Sequence, residues 1–91
     1  MMDFVKAGEL IALYEKEYFS GAFCERVIRD DLGMRRGKKN FYIDEYTTGL
    51  DWINAILDAV RTHQSWDSML ISRCEKCRDQ ANKLLNIARG F

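Results

Sequence analysis

The stretch from Leu70 to Ala88, LISRCEKCRDQANKLLNIA, decides the fold. Its apolar residues recur at alternating steps of four and three, which is the spacing of one buried face of a long helix. These positions are Leu70, Cys74, Cys77, Ala81, Leu84 and Ala88. The pattern predicts a helix that starts at Ser65 or Asp67 and continues toward Arg89, with Gly90 as its stop signal.

The same spacing near the start of the chain predicts a first helix from about Asp3 to Glu17. Its apolar stripe consists of Phe4, Ala7, Ile11, Tyr14 and Tyr18. Ser20 is placed to cap a second helix that ends at Leu32, with Gly33 in a left-handed turn beyond it. Because the link between these helices is short, we expect an antiparallel hairpin. The residues expected at its contact are Tyr14, Tyr18 and Phe23.

A third helix is predicted after Thr47, where Thr48 and Asp51 resemble a capping box, and it should end near His63. Its buried face would consist of Ile53, Ile56, Leu57 and Val60. The chain contains no proline. These features predict an all-α fold in which residues 1–91 form a single domain, a small antiparallel bundle of about four helices. A long charged and aromatic loop is expected between the second and third helices.

Composition limits the class of protein. The chain has 91 residues, of which 47% are hydrophobic and 31% charged, a balance typical of a globular domain. No apolar run approaches the roughly 20 residues needed to span a bilayer, and we expect neither a signal peptide nor a membrane anchor. Three cysteines cannot all pair within one chain, which favours reduced thiols and a cytoplasmic location. A monomer or weak dimer is expected.

Charge is sorted into blocks although the formal net charge is zero. A basic run, Arg35 to Lys39, is followed at once by an aromatic and acidic run, Phe41 to Tyr46. One interpretation is a solvated loop whose aromatics cover the end of a small core. The other is a partner-binding surface, since tyrosine and arginine are enriched in binding hot spots. The candidate binding residues are Arg35, Arg36, Lys38, Lys39, Phe41, Tyr42, Asp44, Glu45 and Tyr46.

Four possible soft ligands would suffice in number for a Cys3His zinc site. They are Cys24, His63, Cys74 and Cys77. Cys74 and Cys77 fall in the apolar phase of the last helix, however, where cysteine behaves as a small buried hydrophobe. No nucleophile with an orienting base is suggested by the sequence. We therefore expect no metal, no cofactor and no enzymatic activity.

Nucleic acid is an alternative partner. The cations of the basic run, together with others on the last helix, would form a basic stripe, and Phe41 or Tyr42 would stack on bases. The additional cations are Arg73, Lys76, Arg78 and Lys83. The zero net charge weighs against this interpretation, since nucleic-acid-binding domains usually carry excess positive charge.

The first third of the chain resembles the opening helical hairpin of colicin D-type immunity proteins and of related immunity proteins of contact-dependent toxin systems. The resemblance lies in residues 9–14 (ELIALY), 18–21 (YFSG) and 23–27 (FCERV). It implies a small helical bundle that binds a toxic nuclease domain and occludes its active site, partly with carboxylates in place of RNA phosphates. Asp44 and Glu45, with Tyr42 and Tyr46, would suit that role.

The expected function is therefore a non-enzymatic inhibitor that binds a protein partner, most simply an immunity or antitoxin protein. A phage-encoded inhibitor of a host defence complex, similar to an anti-CRISPR, would have the same physical profile. A small nucleic-acid-binding module is the third alternative.

Overall fold

The computed structural model describes residues 4–62 and 68–91. Within these residues the chain is entirely helical, and no strand is present. The elements are α1 (Phe4–Phe19), α2 (Glu25–Met34), a short 3-10 helix (Arg36–Lys38), α3 (Lys39–Thr62) and α4 (Ser68–Gly90). The predicted all-α class and four helices are confirmed.

The apolar stripe of α4 is confirmed as core. All six of the predicted positions are buried, and Leu85 joins them. The predicted starts of this helix at Ser65 or Asp67, and the predicted end of the third helix near His63, lie outside the described residues. Helix α4 packs against each of the other three helices, so its stripe organises the core.

The predicted hairpin between α1 and α2 is wrong. The two helices do not pack side by side; α1 packs on α4 and α3, and α2 packs mainly on α4. The two helices meet α3 at successive positions along its length. Tyr18 of α1 contacts Tyr46 of α3, and Asp31 of α2 accepts a hydrogen bond from Tyr42, four residues earlier in α3. The physical reason is that both helices pack on α4, which buries seven residues and so offers each of them more apolar surface than the short α2 would offer α1. The molecule is accordingly elongated, at 46 × 19 × 18 Å.

Two helix starts also differ from the expectation. Ser20 does not cap α2; its hydroxyl donates to the carbonyl of Lys16 at the end of α1, and α2 begins only at Glu25. Gly33 lies inside α2, and no described residue has a positive φ. Thr48 lies well inside α3 rather than at its start.

A cluster of tyrosines joins α1 to α3. The Tyr18 ring centroid lies 5.2 Å from that of Tyr14 and 5.5 Å from that of Tyr46. A Cβ on Gly49 would overlap the Tyr18 hydroxyl. The absence of a side chain at Gly49 is therefore what lets the Tyr18 ring reach the α3 backbone.

Candidate functional site

The long loop predicted between helices two and three is largely helical. Only Arg35 separates α2 from the 3-10 helix, and α3 then begins at Lys39. The reason lies in the spacing of four residues, Tyr42, Tyr46, Gly49 and Ile53, all of which are buried. They continue the stripe of α3 by steps of four, three and four, so burying them requires helical backbone.

Tyr42 and Tyr46 are core residues rather than exposed contact residues. Tyr42 is 5% exposed and Tyr46 is fully buried. The Tyr42 hydroxyl donates to Asp31 Oδ2 at 2.5 Å, and the Tyr46 hydroxyl donates to the carbonyl of Phe23 at 2.6 Å. Their function in this structure is to hold α3 against the preceding part of the chain. The interpretation that the aromatics cover the core fits these two residues.

Asp31 is the centre of a small polar clamp. Besides Tyr42, it accepts a hydrogen bond from Arg35 Nε at 2.6 Å on its other oxygen. The Arg35 guanidinium, followed by the Tyr42 hydroxyl, lowers the pKa of the Asp31 carboxyl. Burial, with the neighbouring carboxylate, raises the pKa of Tyr42 to about 12. Arg35 is thus engaged within the chain.

One of the remaining cations of the run lies over an exposed aromatic ring. The Lys38 ammonium lies 5.0 Å from the centroid of the Phe41 ring, and Phe41 is 50% exposed. Arg36 is exposed and Lys39 is half-buried. Met34, at the end of α2, is 82% exposed. We call residues 34–41 the basic corner.

Asp44 and Glu45 point in different directions although they are adjacent. At about 100° per residue, Asp44 lies on the side of α3 opposite its buried stripe, whereas Glu45 lies on the flank toward α1. Asp44 is exposed and Glu45 is half-buried. Burial raises the pKa of the Glu45 carboxyl, and the nearby carboxylate of Glu17 raises it further. The nine predicted binding residues are therefore divided among the core, the basic corner and two faces of α3.

The exposed side of α3 carries an acidic line. Asp44, Asp51 and Asp58 are all exposed and recur every seven residues, so they lie almost in register along the helix. The segment from Asn40 to Val60 contains four carboxylates and no lysine or arginine. None of these carboxylates forms an ion pair within residues 4–62 and 68–91. Only Asp44 of this line was among the predicted binding residues, although the spacing of seven is visible in the sequence.

A groove of about 530 Å³ lies between α1 and α3. Its apolar wall consists of Leu10, Leu13 and Trp52, and Lys6 and Glu9 also line it. Leu13 is 52% exposed and Trp52 is 48% exposed. Neither residue belongs to a buried stripe, which is the signal in the sequence that would have identified them as surface residues.

The cations proposed for nucleic-acid binding on α4 are mostly engaged with carboxylates. Arg73 donates to both oxygens of Glu15, at 2.6 and 3.1 Å, and Lys83 lies 2.9 Å from Glu25. Arg78 lies 3.3 Å from Asp79. At about 100° per residue, Arg78 is also about 140° around the helix from Arg73. Ion pairs within the chain therefore neutralise three of the four cations that the nucleic-acid interpretation places on α4.

The three cysteines are buried and unpaired. Burial raises the pKa of Cys74 to about 11 and that of Cys77 to about 12. Because the thiolate is the metal-binding form, this environment disfavours coordination. Among the described residues, no three His, Cys, Asp or Glu side chains are grouped so as to hold a metal ion, and His63 lies outside them.

No protein-family model, curated protein or solved structure matches this chain. Among the helices of the described residues, none is long and apolar enough to cross a membrane.

Proposed function

We propose that this chain is a non-enzymatic inhibitor that binds a toxic nuclease, in the manner of an immunity protein. The observation that carries the proposal is the acidic line of Asp44, Asp51 and Asp58 on the exposed side of α3. A nuclease must present cations to its polyanionic substrate. A helix-borne line of carboxylates that forms no ion pair among the described residues is complementary to such a cleft.

The dimensions of the line favour this partner. Seven residues of helix rise about 10 Å, so the three carboxylates extend over about 21 Å. Successive phosphates of one strand advance about 3.4 Å along a duplex, so each carboxylate interval corresponds to about three nucleotides. The α3 helix thus supplies regularly spaced negative charge over a length comparable to a nuclease cleft.

The basic corner would fix the orientation in which a partner binds. Phe41 and the cations Arg36 and Lys39 lie at the N-terminal end of α3, beside the first carboxylate of the line. A partner with an acidic rim beside its basic cleft would bind in one orientation and not in the reverse, since like charges oppose the reversed complex. In this proposal, Asp44 remains a contact residue, and Tyr42 and Tyr46 act only by supporting α3.

The test begins with the genes on either side of this one, where the proposal expects a toxic nuclease, and uses that enzyme in purified form. Purified wild-type chain should inhibit cleavage of RNA or DNA by that enzyme. The triple variant Asp44→Asn, Asp51→Asn, Asp58→Asn should inhibit at least tenfold less, and inhibition by the wild type should weaken as salt screens the charges. Full inhibition by the triple variant would overturn the assignment of this surface, and no inhibition by the wild-type chain would overturn the proposed function.

The matched control removes three charges elsewhere. Asp30→Asn, Glu75→Gln and Asp79→Asn change the net charge equally but lie on α2 and α4. This variant should inhibit like the wild type. An equal loss in both variants would show that net charge, and not the line on α3, determines binding. Tight binding of bare RNA or DNA by the chain would instead favour the nucleic-acid-binding module.

A further inference from the structure

The groove between α1 and α3 has an exposed apolar wall, and carboxylates lie near it. Leu13 and Trp52 are each about half exposed, on facing flanks of the two helices. Large side chains left half exposed beside one another are typical of surfaces that bind a partner. This groove lies on a different flank of α3 from the acidic line.

The residues that line the groove include one cation, Lys6, and one carboxylate, Glu9. Two further carboxylates continue its flanks, since Glu17 follows Leu13 by about one helical turn and Glu45 precedes Trp52 by about two. Glu17 lies close enough to Glu45 to raise the pKa of its carboxyl, although burial is the larger cause. Glu17 accepts a hydrogen bond from the backbone of Ala22, and Glu45 has no cationic partner within the described residues. Two like charges held together are an unfavourable arrangement that a cation from outside would relieve.

The carboxylates near the groove favour a positively charged partner over a negatively charged one. A nucleic acid or an anionic membrane surface would be repelled by Glu9, Glu17 and Glu45, and a second copy would bring the same carboxylates against them. A protein segment that carries an apolar side chain next to a lysine or arginine meets both requirements. Its apolar group would cover Leu13 and Trp52, and its cation would lie between Glu17 and Glu45.

We propose that this groove is a docking site for a basic amphipathic helix of another protein. A helix suits the site because its i, i+3 and i+4 side chains project in one direction, as in other complexes where an amphipathic helix lies in an apolar groove. The carboxylates then determine which helices bind, since apolar contact alone would not discriminate between basic and acidic ones. The inference goes beyond nuclease inhibition and does not depend on it.

The test uses a designed probe. A fluorescein-labelled helical peptide of about 16 leucine, alanine and lysine residues, with its leucines on one face, is titrated with the wild-type chain while anisotropy is followed. A second peptide has glutamate in place of every lysine. The basic peptide should bind saturably and at least tenfold more tightly than the acidic one.

Variants of the chain assign the binding to the groove. Leu13→Ser and the double variant Glu17→Gln, Glu45→Gln should each weaken binding of the basic peptide at least fivefold. The matched controls are Val5→Ser, which removes another exposed apolar side chain of α1 that does not line the groove, and Asp30→Asn on α2. Both controls should bind like the wild type. Circular dichroism of each variant verifies that its helix content is retained.

Three results would overturn the proposal. One is equal affinity for the two peptides, and another is unchanged affinity in both groove variants. The third is self-association of the wild-type chain that Leu13→Ser abolishes, with no response to the peptide, which would identify a second copy as the occupant. Because these measurements need no nuclease, failure of the inhibitor proposal and failure of this one are distinguishable.

Discussion

The Tyr18 hydroxyl occupies the space in which a side chain on Gly49 would begin. Tyr18 is fully buried, and its hydroxyl has no hydrogen-bond partner within the described residues. The ring is held by stacking on Tyr14 and by an edge contact with Tyr46. Packing of the Tyr18 ring, and not hydrogen bonding of its hydroxyl, therefore stabilises the contact with Gly49.

A pair of substitutions tests this relationship. Tyr18→Phe removes an unpaired buried hydroxyl and should raise the free energy of unfolding by about 1 kcal/mol. Gly49→Ala should lower it by about 1–3 kcal/mol because the new Cβ overlaps the hydroxyl. In the double variant much of that loss should be recovered. Chemical denaturation of all four proteins measures the coupling, and strictly additive effects would contradict the contact.

All four tyrosines should resist ionisation while the chain is folded. Burial is the main cause that raises the pKa of all four side chains: Tyr14, Tyr18, Tyr42 and Tyr46. For Tyr42 the pKa rises to about 12. A phenol in an unfolded chain has a pKa of about 10. Since the folded pKa is raised, this contribution to stability is complete below about pH 10 and is lost as pH rises through the folded pKa.

Phenolate absorbance measures this directly. On raising the pH, it should stay low through pH 10 and then increase together with the loss of helical circular dichroism. In concentrated denaturant, the same chain should titrate near pH 10. Titration of any of the tyrosines near pH 10 with helix content unchanged would show that it is not buried as described.

Leu84→Ala tests the stripe on α4. Leu84 is fully buried, and truncating a buried leucine costs about 2–5 kcal/mol. Met34→Ala, at a position 82% exposed, is the control and should change the free energy of unfolding by less than about 0.5 kcal/mol. Equal denaturation midpoints for the two variants would mean that the stripe is not core.

The thiols provide a test that is independent of stability. Cys74 and Cys77 are fully buried and their raised pKa values disfavour the reactive thiolate. An aromatic disulfide reagent at neutral pH should modify them only at the rate at which the chain opens, and should modify all three cysteines rapidly in denaturant. Rapid modification of Cys74 or Cys77 in the native chain would contradict their burial.

The core of α4 could be predicted from sequence because its periodicity is local and long. The predicted start of α3 is wrong because the charged and aromatic composition of residues 35–46 is typical of an exposed loop, whereas the spacing of Tyr42 and Tyr46 is in phase with Ile53 and requires a helix. The all-α class depends on local helix-forming patterns and could therefore be predicted from the sequence. The exact start of a helix depends on which tertiary contacts the first turn makes, here those of Tyr42 with Asp31.

The arrangement of charges on the surface was harder to predict from the sequence than the core. The ion pair between Arg73 and Glu15 joins residues 58 positions apart, and no local pattern reveals that it neutralises a cation of the presumed basic stripe. The opposite holds for Asp44, Asp51 and Asp58, whose spacing follows from the sequence once the helix is known to begin at Lys39. An error in one helix boundary therefore concealed the acidic line.

The end-to-end placement of α1 and α2 along α3 and α4 has a consequence for how the chain tolerates change. Ile11 of α1 and Leu32 of α2 are both buried in one continuous core, and the two short helices do not pack side by side. Substitutions at such separated sites combine additively as a rule. Substitutions in α1 and in α2 should therefore combine additively, except where both change the aromatic contacts that run from Tyr18 through Tyr46 to Phe23.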